Sequence, residues 1–322
     1  MDNSFKISVL NSLEKHGIKA TSFKQINSGR NSLSWEIINS EKSFFLKRYI
    51  SRPGDLRDRL FTEKNFLELL RDNNIANVPK TICFSKKYNW MILTWLNGYP
   101  INRPNSDDWE SLINFMACIQ KIKKNKISTN ISNASESFFD IVSHAEFIRG
   151  KILYLKNKFD QENLLELSKW IEENLVRTIN KYFQEKYDYL KKLSFINYPA
   201  ILSQSDIGFH NTIKYENKLY FFDFEYAGWD DQYKQFTDLV IQPENVLENY
   251  QANKLLKRFS RILDKEINFE ILQEYIFIYR LKWTLIVLKQ LLYKNSTKFK
   301  NDEVFFKAIS YFERIGKIWL SN

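Results

Sequence analysis

The sequence of 322 residues contains only two cysteines, three histidines and eight glycines. Cys83 and Cys118 lie far apart and form no C-x-x-C pair, which argues against a disulfide framework and against a zinc site. The three histidines, His16, His144 and His210, lack the spacing of metal ligands, so we expect each to be structural. Because 16% of the residues are aromatic, the scarcity of glycine indicates a well-packed core with few tight turns.

Long apolar runs are also missing. No apolar segment approaches the roughly 18 residues that a membrane-spanning helix needs, and the first residues lead into no signal-peptide core. We therefore expect a cytoplasmic protein that does not insert into a membrane. Hydrophobic residues make up 44% of the chain and charged residues 27%, values that exclude a disordered or collagen-like chain.

The net charge is +10, with 48 lysines and arginines against 38 acidic residues, so an anionic partner has to be considered. The lysines are spread over segments that have the pattern of amphipathic helices. This distribution favours a solvated surface over a nucleic-acid groove. We expect no nucleic-acid partner, and the sequence does not predict the oligomeric state.

Two segments differ in their periodicity, which predicts an α+β fold of two lobes. A small, β-rich N-terminal lobe of residues 1–96 has one inserted helix, at 60–71, and strands at 22–26, 33–38, 43–49, 78–84 and 90–96. A larger lobe of residues 97–322 is mostly helical, and a short β segment between 201 and 224 interrupts its helices. The predicted helices of this lobe are 109–123, 138–159, 162–193, 246–263, 269–292 and 302–319.

The short β segment of the second lobe contains a compact set of oxygen-bearing side chains. Asp206 is followed by Asn211, then by a hairpin at a Glu-Asn turn, and then by Asp223 at the end of an aromatic strand. Taken alone, each of these residues is a common turn former or helix cap. Together they suit Mg²⁺, which takes oxygen ligands, with Asn211 and Asp223 as ligands and Asp206 accepting the proton of an attacking hydroxyl.

The first lobe offers a second constellation. Glu63 falls on the inward stripe of its predicted helix, where an unpaired carboxylate is costly, and Lys47 on the preceding strand is its natural partner. Such a pair positions the α- and β-phosphates of ATP in protein-kinase-like folds. The loop 27–32, with Gly29 and Ser32, either closes over the phosphates or forms an ordinary hairpin turn.

These residues, together with the run from Phe222 to Asp231, give the chain its resemblance to the family of aminoglycoside phosphotransferases and choline kinases. The resemblance spans nearly the whole chain and implies a protein-kinase-like fold with a nucleotide-binding first lobe and a catalytic, substrate-binding second lobe. It also implies a small-molecule kinase that uses ATP and Mg²⁺. It implies the following roles: Asp206 as catalytic base, Asn211 and Asp223 as metal ligands, Lys47 and Glu63 at the phosphates, and the backbone of Thr94, Trp95 and Leu96 at adenine. Asp238 matches the family's structural Asp.

One position departs from the family pattern. Gln204-Ser205 stands where the family usually has His-Gly before the catalytic Asp, and glutamine can also donate and accept hydrogen bonds. A pseudokinase, that is, a nucleotide-binding or scaffold protein without turnover, is therefore the alternative to an active kinase. Only fifteen positions separate Asp223 from Asp238, which leaves no room for the peptide-docking segment of a protein kinase. We therefore expect a small-molecule hydroxyl acceptor, bound against the helical lobe.

Two partly opposed signals bear on the acceptor. Glu225, Asp230 and Asp231 could give its site negative charge, and Tyr226, Trp229, Tyr279 and Trp283 could supply aromatic faces for a cation or a sugar. Alternatively, Asp230 and Asp231 cap the next helix, and the aromatic residues at helical spacing belong to the core. A sugar or surface-polysaccharide precursor thus ranks level with choline or ethanolamine, and an aminoglycoside ranks third.

Overall fold

The computed structural model describes most of the chain, namely residues 2–26, 32–51, 57–123, 130–196, 198–242, 247, 249–264, 266–293 and 302–314. Two compact units can be distinguished. One comprises Met1–Ser135 and Leu202–Trp229, and the other comprises Glu136–Ile201 and Asp230–Asn322. These units group residues by their contacts, whereas the predicted lobes were defined by function. The lobe boundaries of 1–96 and 97–322 therefore stay a prediction.

The first unit contains a five-stranded antiparallel sheet of order β1-β2-β3-β5-β4. Its strands are β1 (Ser22–Ile26), β2 (Ser32–Ile38), β3 (Ser43–Tyr49), β4 (Thr81–Ser85) and β5 (Trp90–Thr94). Strand β3 is central and is paired along both of its edges, with β2 and with β5. The inserted helix α2 (Arg59–Asp72) begins after the cap residue Asp58, whose side chain accepts from the amide of Phe61.

The N-terminal helix α1 (Asn3–Lys15) was not predicted, and the first lobe therefore has two helices before β4. Phe5, Val9 and Leu13 are fully buried and pack into the core of the sheet. Their spacing of four residues is the signal for one apolar helix face. The side chain of Asp2, which accepts from the amide of Phe5, marks where the helix begins.

A smaller antiparallel sheet of order β6-β8-β9 completes the first unit. It consists of β6 (Tyr99–Pro100), β8 (Thr212–Tyr215) and β9 (Lys218–Phe221). The short strands β7 (Ile201–Ser203) and β10 (Gly228–Asp230) pair with each other in a separate two-stranded sheet. The predicted Glu216-Asn217 turn is present between β8 and β9, and both residues have positive φ, as a tight two-residue hairpin requires. Helix α3 (Ser106–Gln120) packs on this sheet, where the ring of Phe115 stacks on the ring of Phe221 with their centres 3.8 Å apart.

The second unit is helical. Its helices are α4 (Ile141–Gln161), α5 (Leu165–Ile171), α6 (Arg177–Ser194), α7 (Gln232–Ile241), α8 (Asn249–Leu263), α9 (Phe269–Leu288) and α10 (Glu303–Glu313). The single helix predicted over 162–193 is interrupted by a π-helical turn at Glu172–Val176 between α5 and α6. A small antiparallel sheet followed by a mostly helical remainder confirms the predicted α+β class. Among the described residues, no helix has the length and apolar character needed to cross a membrane.

Candidate active site

Lys47 and Glu63 form a buried ion pair between β3 and α2. The ammonium nitrogen of Lys47 lies 2.7 Å from Oε2 of Glu63, and the hydroxyl of Tyr49 donates to the same oxygen at 2.8 Å. Glu63 faces inward because its neighbours on the helix stripe, Leu60 and Phe66, are buried in the core. The sequence did not indicate Tyr49, although its position two residues after Lys47 places it on the same face of β3.

Two further carboxylates surround the Lys47 ammonium, at 2.7 Å for Asp223 and 3.1 Å for Glu225. Burial alone would lower the pKa of Lys47, but Asp223 and Glu63 outweigh it and hold that pKa well above its ordinary value. The amide of Phe224 donates to Glu63 at 3.3 Å, which ties the segment after Asp223 to α2. Lys47 therefore remains a cation at the centre of this cluster.

The segment between β7 and β8 folds as a loop around Asp206. The side-chain amide of Asn211 donates to the backbone carbonyl of Asp206 at 2.8 Å, and His210 Nε2 lies 3.2 Å from Oδ1 of Asp206. Gln204 is fully buried, and its amide donates to the carbonyl of Phe222 at 2.8 Å. Gln204 thus connects the loop that bears Asp206 to the residue directly before Asp223.

The oxygen atoms of this site fit a hard divalent cation. Because Asn211 uses its amide nitrogen to bind the loop, its side-chain oxygen is the atom left to face a ligand. Asp223 lies in the left-handed region at φ 64°, a strained conformation for an aspartate, and one of its oxygens contacts Lys47. A carboxylate and an amide oxygen are suitable ligands for Mg²⁺, so the residues present fit the ion that the resemblance implies.

Comparison with known proteins assigns the family. Residues 22–259 match the model of the phosphotransferase enzyme family. The chain belongs to this family. It is therefore a kinase-type enzyme that transfers phosphate to a hydroxyl group, and the predicted resemblance is confirmed. No curated protein is significantly similar to the chain in sequence.

Solved structures similar to this phosphotransferase share its fold at low sequence identity. A spectinomycin phosphotransferase in complex with ADP and spectinomycin has a TM-score of 0.61 and 16% identity, over 97% of this chain and 95% of its own. An ethanolamine kinase from Plasmodium vivax has a TM-score of 0.61 and 14% identity, over 98% and 89%. The choline kinase LicA from Streptococcus pneumoniae has a TM-score of 0.58 and 13% identity, over 97% and 99%. At these identities the likeness establishes the fold.

Two arginines of the phosphotransferase lie over the ring of Tyr226, an arrangement that the sequence did not indicate. The guanidinium carbon of Arg57 lies 5.0 Å from the centre of the Tyr226 ring, and that of Arg59 lies 5.7 Å from it. Burial and the charge of Glu225 raise the pKa of Tyr226, and the Asp206 carboxylate adds to this effect. The tyrosine is therefore within electrostatic reach of the candidate catalytic base.

The predicted adenine-binding segment follows the end of β5. The Thr94 amide donates to the backbone carbonyl of Lys80 at 2.9 Å. The next backbone groups along the chain that could contact adenine are those of Trp95 and Leu96, and both residues are half-buried. Ser32 is buried at the start of β2, whereas Gly29 lies outside the described residues. The nucleotide-binding roles of these residues stay predictions.

Five of the seven residues that the sequence offered for the acceptor site fall in different environments. Glu225 is buried against Lys47, and Trp229 is half-buried with its backbone bonded to residues 132 and 134. In the second unit, Asp230 pairs with a lysine at 2.8 Å, Tyr279 is buried against His144, and Trp283 donates to Asp238 at 3.1 Å. Asp238, expected to be structural, also binds Lys282 at 3.1 Å. A role for these five residues at the acceptor stays a prediction.

Proposed function

We propose that this phosphotransferase moves the γ-phosphate of ATP, in the presence of Mg²⁺, to a hydroxyl group of a small metabolite. The observation that carries the proposal is the position of Lys47, which contacts both Glu63 and Asp223 at 2.7 Å. A lysine held between a helix carboxylate and a metal-binding carboxylate is the arrangement with which kinase-like folds bind nucleotide phosphates.

The residues of the site can be given roles in one step. Lys47, held in place by Glu63 and Tyr49, binds the phosphates, and Asp206 orients the acceptor hydroxyl. The hydroxyl oxygen forms a bond to the γ-phosphorus while the bond from that phosphorus to the β–γ bridging oxygen breaks. The hydroxyl proton passes to Asp206, and ADP leaves. Asn211 and Asp223 would hold Mg²⁺, and the ion would supply positive charge that neutralises the phosphates.

The adenine base is proposed to bind the backbone of Trp95 and Leu96 at the end of β5. The acceptor is proposed to be a sugar, a surface-polysaccharide precursor, or an amino alcohol of the choline and ethanolamine type. These classes draw support from similar folds described as kinases of choline, ethanolamine and spectinomycin. The presence of Lys47, Asp206, Asn211 and Asp223 supports an active kinase over the pseudokinase alternative.

Nucleotide binding and turnover test this function separately. A thermal shift should show stabilisation by a non-hydrolysable ATP analogue with Mg²⁺ that follows RT ln(1 + [L]/Kd) and weakens in Asp223→Asn and Lys47→Ala. Mass spectrometry of a panel of hydroxyl compounds incubated with ATP should then detect a phosphorylated product that Asp206→Asn forms at least about a hundredfold more slowly. Equal stabilisation of the wild type and both binding-site variants would contradict the proposed site.

A further inference from the structure

The carboxylate of Asp206 is too exposed to be fixed by packing alone. Its side chain is 38% exposed, and a side chain in such a position has several rotamers within reach. The backbone of this residue is fixed more firmly, because its amide donates to the carbonyl of Gln204 at 2.9 Å and its carbonyl accepts from the Asn211 side chain at 2.8 Å. Catalysis by positioning requires one orientation of the carboxylate, so the side chain needs a support of its own.

The imidazole of His210 supplies such a support. Its Nε2 lies 3.2 Å from Oδ1 of Asp206, four residues earlier in the chain. An ionised carboxylate can only accept hydrogen bonds, so Nε2 carries the proton of this contact and donates it. Hydrogen bonds to a charged group are stronger than those between neutral groups, and this one therefore favours a single orientation of the Asp206 carboxylate.

The imidazole is in turn held by the backbone that carries it. His210 is the middle residue of a short 3₁₀ turn, and its two neighbours there, Phe209 and Asn211, are buried. The ring of Phe209 packs edge-on against that of Trp109, with the ring centres 4.8 Å apart. The backbone amide of Asn211 donates to the carbonyl of Gly208 at 3.1 Å. Because the chain is anchored on both sides of His210, the imidazole is a fixed support for the carboxylate.

We propose that His210 is a positioning residue of this phosphotransferase, which orients the Asp206 carboxylate towards the acceptor hydroxyl and takes no part in the proton transfer itself. This inference rests on the proposed function and adds a residue to the same site. A donated hydrogen bond makes the carboxylate a weaker base. Phosphoryl transfer has a loose transition state in most analyses and depends mainly on positioning, so the gain in orientation outweighs the loss in basicity.

Substitutions of His210 that keep or remove the donor test the proposal. His210→Leu removes the donor and should lower kcat roughly tenfold to a hundredfold, while KM for ATP changes less than about twofold. His210→Gln keeps an N–H donor on a side chain of similar reach and should stay within about threefold of the wild type in kcat. The matched control is His16→Leu, which should leave both constants unchanged. The imidazole of His16 is also exposed and also contacts a residue four positions earlier, the carbonyl of Ser12 at 2.8 Å.

A double-mutant cycle shows whether His210 acts through Asp206. In Asp206→Ala there is no carboxylate to orient, so the addition of His210→Leu should change the rate by less than about twofold. The rates are those of single-turnover transfer from ATP to choline, ethanolamine, spectinomycin or glucose, and of ATP hydrolysis, in which water replaces the acceptor hydroxyl. An equal loss in the presence and absence of Asp206 would overturn the proposal, because His210 would then act independently. An unchanged kcat in His210→Leu would overturn it as well.

The contact between the two side chains can be measured without turnover. In nitrogen–proton correlation spectra of the imidazole rings, the Nε2 resonance of His210 should shift in Asp206→Ala, whereas the resonances of His16 should not. If the His210 resonance does not depend on Asp206, the contact is absent and the positioning role is overturned. If the resonance shifts but the wild type neither hydrolyses ATP nor is stabilised by a Mg²⁺-bound ATP analogue, it is the proposed kinase function that fails.

Discussion

The side-chain amide of Gln204 donates to the backbone carbonyl of Phe222 at 2.8 Å, and this bond connects the loop of Asp206 to the strand end that carries Asp223. Gln204 is fully buried, and its side-chain oxygen has no hydrogen-bond partner among the described residues. Only the donor of this side chain is therefore in use, and an imidazole can supply a donor equally well. Gln204 thus supplies a hydrogen-bond donor at the position where the family pattern has histidine.

Gln204→His should consequently stay within about tenfold of the wild type in kcat, a change of under roughly 1.4 kcal/mol in the barrier. Gln204→Leu removes the donor and leaves a buried carbonyl without this partner, which should lower the free energy of unfolding by about 1–3 kcal/mol. Steady-state kinetics and urea unfolding measure the two effects. A gain of several orders of magnitude in Gln204→His would indicate a degraded enzyme and favour the pseudokinase alternative.

Removal of the Lys47 ammonium should be costly to stability. Lys47→Met conserves volume but leaves three carboxylates, those of Glu63, Asp223 and Glu225, without their common cation, with oxygens within 4.8 Å of one another. Breaking a buried pair in this way lowers the free energy of unfolding by about 3–5 kcal/mol. The matched control is Lys64→Met. The ammonium of Lys64 pairs with an exposed glutamate on the same helix, so its removal should lower the free energy of unfolding by under about 1 kcal/mol. Similar losses in both variants, measured by urea unfolding, would contradict this account.

Local patterns in the sequence were sufficient for part of this site. Glu63 could be placed inward because its neighbours at helical spacing are apolar, and Lys47 followed as its partner because a buried carboxylate needs a cation. The hairpin between β8 and β9 was likewise marked by its turn residues. These predictions succeeded because each depends on residues a few positions apart.

Contacts between distant segments could not be predicted in the same way. Arg57 and Tyr226 have no shared periodicity, and their proximity depends on where the chain after β3 meets the segment after β9. The contact of Glu225 with Lys47, at 3.1 Å, likewise joins two segments that lie far apart in the sequence, so no local pattern indicates it. Helix α1 was missed although the spacing of its buried residues was available.

Asp206→Asn should separate catalysis from binding. The side chain of Asp206 is 38% exposed, and the carboxylates that pair with Lys47 are those of Glu63, Asp223 and Glu225, so loss of the Asp206 carboxylate should leave the affinity for ATP nearly unchanged. Orientation of the acceptor and proton transfer act mainly in the transition state, so kcat should fall by roughly 10²- to 10⁴-fold. Isothermal titration with a non-hydrolysable ATP analogue and single-turnover kinetics give the two values. If affinity falls as far as turnover, Asp206 is a metal-binding or structural residue.

The stability of the second unit should depend on Glu136 at acid pH. Burial alone would raise the pKa of Glu136, but Lys282, at 3.4 Å, and Lys151 outweigh it and lower the pKa to about 2. Because the folded pKa lies below the unfolded value, the ionised carboxylate stabilises the fold above about pH 4.5, and this contribution is lost as the pH falls towards 2.

Glu136→Gln should therefore flatten the dependence of the unfolding free energy on pH between about 4.5 and 2, by roughly 3 kcal/mol across that window. Urea unfolding at a series of pH values measures the slope. The control is Glu185→Gln, which removes an exposed carboxylate 3.7 Å from Lys181 and should leave the slope unchanged. An unchanged slope in Glu136→Gln would show that the ion pairs of Glu136 contribute no stability in this pH range.

Gly228 should be among the least replaceable positions of the chain. Its φ is 156°, and a Cβ atom there would lie 2.2 Å from the backbone oxygen of Ser132 and 2.8 Å from the backbone nitrogen of Ala134. The two segments approach this closely because Trp229 exchanges backbone hydrogen bonds with residues 132 and 134, at 3.0 and 2.7 Å. The same segment binds the carbonyl of Tyr226 through the amide of Ser135 at 2.9 Å.

Gly228→Ala should therefore force residues 132–135 away from the chain that follows Asp223, and both stability and the affinity for Mg²⁺-bound nucleotide should fall. The loss in unfolding free energy should exceed about 1 kcal/mol, because both backbone strain and the steric clash act against the folded state.

Gly150→Ala is the matched control, since a Cβ at this position in α4 meets nothing within 4 Å. Alanine in a helix interior should stabilise by about 0.5–1 kcal/mol relative to glycine. Urea unfolding should thus show a lower free energy of unfolding for Gly228→Ala and a higher one for Gly150→Ala. Nucleotide titration should show weaker binding only for Gly228→Ala. Equal stability of the two variants would mean that the contact between residues 132–135 and Trp229 does not hold the segment that carries Asp223.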